Sequence, residues 1–211
     1  QSHIFSIASC IIVTLETKER QWITQTRRIL SYGTDMWKLD RLNDLSRRIC
    51  ATQPSFEVID REYEKILKGP TYSPAVQCAV YAMTAGAFAV FFGGNLWDGF
   101  ASLFVGALIR VTLYAFAAIH MKAIFSNILC SLISGIACIL VCYIGLGRHV
   151  EMIMIGNIML LIPGVLMTNS FRDFISGDMI SGLLHFSEAM ITAVCVAVGF
   201  IMSKMLLGGM L

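Results

Sequence analysis

The sequence predicts an α-helical polytopic membrane protein, with five transmembrane helices behind a small N-terminal α+β module. Two observations carry that prediction. Twenty of the thirty formal charges fall in the first 70 residues, and only ten in the remaining 141. Those 141 residues divide into five apolar segments, each near the roughly 17–25 residues a helix needs to cross a bilayer. With 56% hydrophobic residues and a mean hydropathy of +0.71, the chain is too apolar for an ordinary soluble domain. A net charge of +2 gives a nucleic-acid partner no electrostatic basis.

Residues 1–70 form the module. His3–Thr14 is short, β-branched and apolar, Glu16–Arg20 is polar, and Gln21–Ile29 alternates in character. This predicts two strands joined by a turn. Met36, Leu39, Leu42, Leu45 and Ile49 recur at helical spacing between charges, which predicts an amphipathic helix over Asp35–Ala51. A second helix is predicted over Ser55–Leu67, entered through Pro54 and broken by Gly69-Pro70. The run Ile4–Val13 lacks the basic flank and small-residue cleavage site of a signal peptide. Starting at Gln1, the chain reads as beginning inside a domain.

Residues 71–211 form the membrane part. The five predicted spans are Pro74–Phe92, Gly99–Ile119, Ala123–Leu146, Met152–Thr168 and Leu183–Met205. Eleven of the sixteen Lys and Arg residues lie in the module, so the positive-inside rule places it in the cytoplasm. Asn95–Asp98 and Arg148-His149 then face outward, Lys122 and Arg172 inward, and the odd count puts Leu211 outside. Five of the seven cysteines sit in apolar segments, where cysteine behaves as a small hydrophobe. No Cys pair or Cys/His spacing suggests a disulfide framework or a metal, and no cofactor is expected.

A charge inside an apolar segment costs about 2.5–3.5 kcal/mol on insertion scales and needs a reason to be there. Asp178, Ser181, His185, Glu188 and Thr192 are spaced 3, 4, 3 and 4, which puts all five on one helix face. Gln77, Tyr81 and Thr84 make a shorter polar stripe, and Asn127, Ser131, Ser134, Cys138 and Cys142 a longer one. Such stripes converge on a polar interior or serve close packing and interhelical hydrogen bonds. Arg110 either snorkels to an interface or pairs with a carboxylate or an anionic substrate group. Asp98, behind Gly93-Gly94, either caps the second span or gates one end of a pathway. Pro163-Gly164 interrupts the fourth span. Such a break kinks a helix for packing or frees backbone groups for a substrate, as discontinuous transporter helices do. Asn157 and Asn169 flank it. Glu188, with His185 one turn away, is the candidate proton carrier.

An intramembrane enzyme is the rival class. Ile175-Ser176-Gly177-Asp178 is similar to the Gly-x-Gly-Asp motif of intramembrane aspartyl proteases, but Ile175 replaces the first glycine and no Tyr-Asp partner motif exists. That chemistry needs two aspartates sharing a proton. No P-loop, Gly-x-Ser-x-Gly or His-Glu-x-x-His sequence occurs. A third class is a non-transporting scaffold or regulatory subunit, in which the module docks a partner.

Several features recur in one order: the helical stretch Leu39–Leu67 followed by Tyr72-Ser73-Pro74, the Gly93-Gly94…Asp98-Gly99 junction, Pro163-Gly164, and Asp178…Gly182…Glu188-Ala189. In this order and spacing the chain resembles the threonine/serine exporter family of bacterial membrane proteins, in its first-half type. The resemblance implies a multi-pass inner-membrane protein that exports small polar metabolites on the proton motive force. The metabolites are threonine and serine in founding members and dicarboxylates such as succinate in a split two-subunit branch. Full members have ten spans, so a second five-span subunit and a higher oligomer are implied. The family also carries a helical stretch ahead of the strands, which this sequence lacks.

Overall fold

A computed structural model describes residues 2–7, 10–16, 21–29, 35–70 and 72–207. The chain divides into two compact units, Gln1–Tyr72 and Ser73–Leu211.

In the first unit, three strands, β1 (Ser2–Ile7), β2 (Cys10–Glu16) and β3 (Trp22–Arg28), form an antiparallel sheet in that order. The sequence predicts two strands here; the stretch taken as one, His3–Thr14, folds back on itself. Ile7 pairs with Cys10 and Ile4 with Val13, so only two residues separate the paired ends. Those two, Ala8 and Ser9, lie outside the described residues. Thr14 and Thr24 face each other across β2 and β3, with their hydroxyls 3.0 Å apart.

Two helices follow, α1 (Met36–Thr52) and α2 (Phe56–Leu67). Asp35 caps α1, its carboxylate accepting from the Lys38 N–H at 3.1 Å. The chain leaves α1 through Gln53 in the left-handed region, and the two helices pack together around Leu45 and Ile66. Glu62 accepts from Lys65 at 2.9 Å and from Arg48 of α1 at 3.5 Å. The Lys65 ammonium, then Arg48, holds the Glu62 carboxyl below its ordinary range.

The second unit holds α3 (Pro74–Phe91), α4 (Leu96–Ala118), α5 (Ala123–Tyr143), α6 (Val150–Ile158), α7 (Gly164–Ser176) and α8 (Met179–Leu207). Among the described residues, four helices are long and apolar enough to cross a membrane: α3, α4, α5 and α8. The fourth predicted span, Met152–Thr168, is not one helix. It begins two residues earlier than predicted and divides into α6, of nine residues, and α7, of thirteen. The cause is Pro163, which has no N–H for the carbonyl four residues back, and beyond it the Gly164 N–H turns to the Ile162 carbonyl at 2.8 Å. The predicted loop 169–182 is also mostly helical, because α7 continues to Ser176.

Contacts between the helices fix their directions. The ends of α3 and α5 and the starts of α4 and α6 meet at one end of the unit, where Asp98 joins their connections and Lys204 of α8 reaches Glu151 of α6 at 3.7 Å. At the other end, α7 and α8 form an antiparallel hairpin turned at Gly177, whose φ of 88° suits glycine. The interior is apolar and small, with Ala101, Val105, Ile109, Ile139 and Ile153 at most 1% exposed.

α5 and α8 run parallel in close contact. Ser131 lies against Gly199, and one turn along Ser203 lies against Gly135. All four residues are buried. The serine hydroxyls are returned to their own helices, Ser131 to the Asn127 carbonyl at 2.7 Å and Ser203 to the Phe200 carbonyl at 2.7 Å. For these serines, packing is the observed role.

Candidate functional site

Asp98 stands at the end where α3, α4, α5 and α6 meet, with its side chain fully buried. Asn95, not Asp98, is the N-cap of α4. Its side chain accepts from the Asp98 N–H, and Asp98 accepts in return from the Asn95 N–H, both at 2.9 Å. The carboxylate also accepts from the Arg148 N–H at 2.7 Å, the His149 N–H at 3.0 Å and His149 Nδ1 at 2.8 Å. It therefore caps α4 and ties the α5–α6 connection to the α3–α4 connection.

Arg110 bridges α3 and α4 from α4. It donates to the Gln77 side-chain oxygen and sits 5.8 and 5.9 Å from the Tyr81 and Tyr114 ring centroids. Its recorded partners are thus an amide and two aromatic faces rather than the carboxylate that the sequence reading allowed. Gln77 and Tyr81 of the short polar stripe are the residues it engages.

Asn157 is fully buried near the end of α6, where three helices converge. Its Nδ2 donates to the Ile153 carbonyl at 2.8 Å and lies 3.4 Å from Ser102 Oγ of α4 and 3.9 Å from Cys138 Sγ of α5. Its Oδ1 is, among the described residues, the buried side-chain oxygen left without a hydrogen-bond partner. Pro163 is the N-cap of α7 and Gly164 its first residue, with open space where a side chain would stand. Asn169 lies half-buried on α7, beyond the break rather than at its edge.

The predicted stripe on α8 divides between two neighbours. Asp178 is exposed in the turn before α8, where its N–H donates to the Asp173 carbonyl and its own carbonyl accepts from Gly182, both at 2.9 Å. His185 turns toward α7 and its Nδ1 meets the Asp173 carboxylate at 2.9 Å. Asp173 was missed by sequence reasoning because it fell in the predicted loop. The Gly177-Asp178 turn was the available signal, since a hairpin there pairs residues about equally distant on either side. Ser170 donates to the Gly182 carbonyl at 2.9 Å and Phe171 meets Phe186 edge-on, which fixes the hairpin's register.

Glu188, three residues after His185, is turned about 60° around the helix and faces α5. There it borders a groove of about 360 Å³ with Asn127, Ser187, Thr192 and Cys195. Ile124, Leu184 and Ile191 supply apolar walls. The groove lies level with the first turns of α5, so Glu188 stands at a mouth of the unit and not at mid-depth. The structure thus brings together Asn127 of one predicted stripe with Glu188 and Thr192 of another, and separates Glu188 from Asp98, Arg110 and Asn157. The arrangement offers a carboxylate, an amide and two hydroxyls to a small polar solute.

No curated protein and no solved structure matches the chain. A family model described as "Putative threonine/serine exporter" matches residues 1–207. That match covers both units, and four long apolar helices fit a membrane exporter. The chain belongs to the threonine/serine exporter family.

Proposed function

We propose that the chain is one half of a secondary active exporter that captures a small amino acid at the α5–α8 groove on the cytoplasmic side. The groove carries this reading. Among the described residues that line it, Glu188 is the carboxylate. A carboxylate attracts an ammonium group and repels a second carboxylate, which favours threonine or serine over a dicarboxylate such as succinate. The volume of about 360 Å³ suits a solute of that size. Binding a proton and an ammonium group at the same carboxylate in turn couples the two fluxes.

In this reading α6 and α7 act in series as a fifth, discontinuous crossing. Their nine and thirteen residues give about 33 Å of helix, close to the roughly 30 Å hydrocarbon thickness. The module then faces the cytoplasm of a bacterial inner membrane, and a second five-span subunit completes the path.

The test is export from proteoliposomes containing both halves, with serine, threonine and succinate as solutes. Wild type exports serine and threonine faster when a pH gradient is imposed. Glu188→Gln abolishes the pH stimulation and lowers amino-acid flux by about tenfold or more, the loss of roughly one charge-assisted hydrogen bond. Unchanged pH-driven flux in the variant removes Glu188 from the mechanism.

A further inference from the structure

Among the described residues, nothing satisfies the acceptor that the side chain of Asn157 holds in Oδ1. A buried polar atom without a partner costs about 1–3 kcal/mol, and such atoms in native proteins generally have an occupant or a function. The amide's orientation is set, because Nδ2 donates to the Ile153 carbonyl at 2.8 Å. Turning the amide over would press Oδ1 against that carbonyl. Oδ1 therefore presents an acceptor at a junction of α4, α5 and α6, beside the Ser102 hydroxyl and the Cys138 thiol.

The chemistry around Oδ1 selects its ligand. An amide oxygen accepts only, whereas a hydroxyl and a thiol each donate or accept. All three groups are neutral, and the carboxylate of Asp98 is engaged with the N–H groups of Asn95, Arg148 and His149 and with the His149 ring. An ammonium group here would be a buried charge without a counter-charge, which is strongly disfavoured. A hydroxyl fits, since it donates to Oδ1 and its oxygen accepts from Ser102 or Cys138. The helix ends immediately after this junction, at Ile158, so the segment beside the site has a break about which to move.

We propose that Asn157, Ser102 and Cys138 form a second binding site that takes the side-chain hydroxyl of the exported amino acid. The proposal rests on the exporter reading and adds a specificity site to it. Along α5, Cys138 lies eleven residues, about 16 Å, from Asn127 of the groove. The groove thus captures the ammonium group at one mouth, and the Asn157 junction tests for a hydroxyl further along the path. A site built to bond a hydroxyl discriminates against the analogue that lacks it, because its own polar groups are then left unpaired.

Water offers the same O–H donor, and the test separates the two sources. A full-length variant keeps Cys138 and replaces the other six cysteines. Its maleimide labelling is followed in membrane vesicles with serine, threonine, alanine or 2-aminobutyrate. Serine and threonine should protect Cys138 at concentrations at least tenfold lower than alanine and 2-aminobutyrate. Asn157→Leu and, with less change in volume, Ser102→Ala should erase that preference. Equal protection by all four, protection by none, or a preference that survives both substitutions overturns the proposal and leaves water as the partner of Oδ1. Flux measured on the same vesicles keeps the two readings apart. Amino-acid export without hydroxyl-selective protection defeats this site alone, and selective protection without export defeats the exporter reading alone.

Discussion

Asp98 shows how one side chain serves two elements. Its four accepted hydrogen bonds come from Asn95, Arg148 and His149, and the acceptor-only geometry suits a carboxylate. Asp98→Asn replaces one oxygen with an NH2 group that must face an existing N–H donor. The change should cost about 2–3 kcal/mol, in the range for hydrogen bonds to charged groups. His149→Ala should cost less than about 1 kcal/mol, because the imidazole is more than half exposed and the two backbone donors remain. Thermal unfolding of the purified variants in detergent measures both, and equal losses would mean that the ring, not the backbone, carries the tie. The sequence marked Asp98 as a cap of the second span or a gate; the structure makes Asn95 the N-cap and Asp98 its N3 partner in a capping box. The link from Asp98 to residues 148 and 149 was not legible, because contacts between residues fifty apart leave no local pattern. The same limit hid the partners of His185 and Arg110.

Among the elements, the amphipathic helices α1 and α2 were legible because their apolar spacing states a period. The long spans were legible because length and hydropathy suffice. The second half of α7 was not, since Asn169, Ser170, Arg172 and Asp173 make it read as a loop, and its helix is supported by packing against α8. The α5–α8 contact makes a prediction at this scale. A Cβ at Gly199 would lie 2.6 Å from the Ile128 carbonyl oxygen and 2.8 Å from the Leu132 nitrogen, both backbone atoms that cannot turn aside. Gly199→Val should therefore push α8 off α5 and destabilise the unit by about 1–3 kcal/mol, the usual cost of overpacking. Gly164→Ala meets nothing within 4 Å and should leave the unfolding midpoint unchanged. If the two variants unfold alike, close helix approach is not what the glycine provides. In the module, the Glu62 carboxyl, lowered first by Lys65 of α2 itself and then by Arg48 of α1, stabilises the folded helix pair above its unfolded pKa of about 4.5. That contribution is lost as pH falls through the folded value.

At the scale of the whole molecule, the broken segment decides the topology. Lys204 near the end of α8 meets Glu151 at the start of α6, so these lie at the same end as Asp98 and Arg148. α8 is one continuous helix of 29 residues, about 43 Å, and its start is consequently at the opposite end. In the proposed five-crossing reading, α6 and α7 carry the chain between Glu151 and Met179. A re-entrant loop would return Ile175 to the Arg148 side and is incompatible with a straight α8. With the module in the cytoplasm, as the bias of Lys and Arg predicts, Arg148 is external and both Lys122 and Ile175 are internal. Single cysteines at these positions in a cysteine-free chain provide the check, using a membrane-impermeant maleimide on intact cells. Arg148→Cys should label at once, whereas Lys122→Cys and Ile175→Cys should label only after permeabilisation. Labelling of Ile175→Cys alongside Arg148→Cys would show that α6 and α7 turn back. Reversal of all three would keep the five crossings and invert the module to the outside. The first result would also move the Glu188 groove to the wrong side for capture from the cytoplasm, so the direction of export and the path of a nine-residue helix stand or fall together.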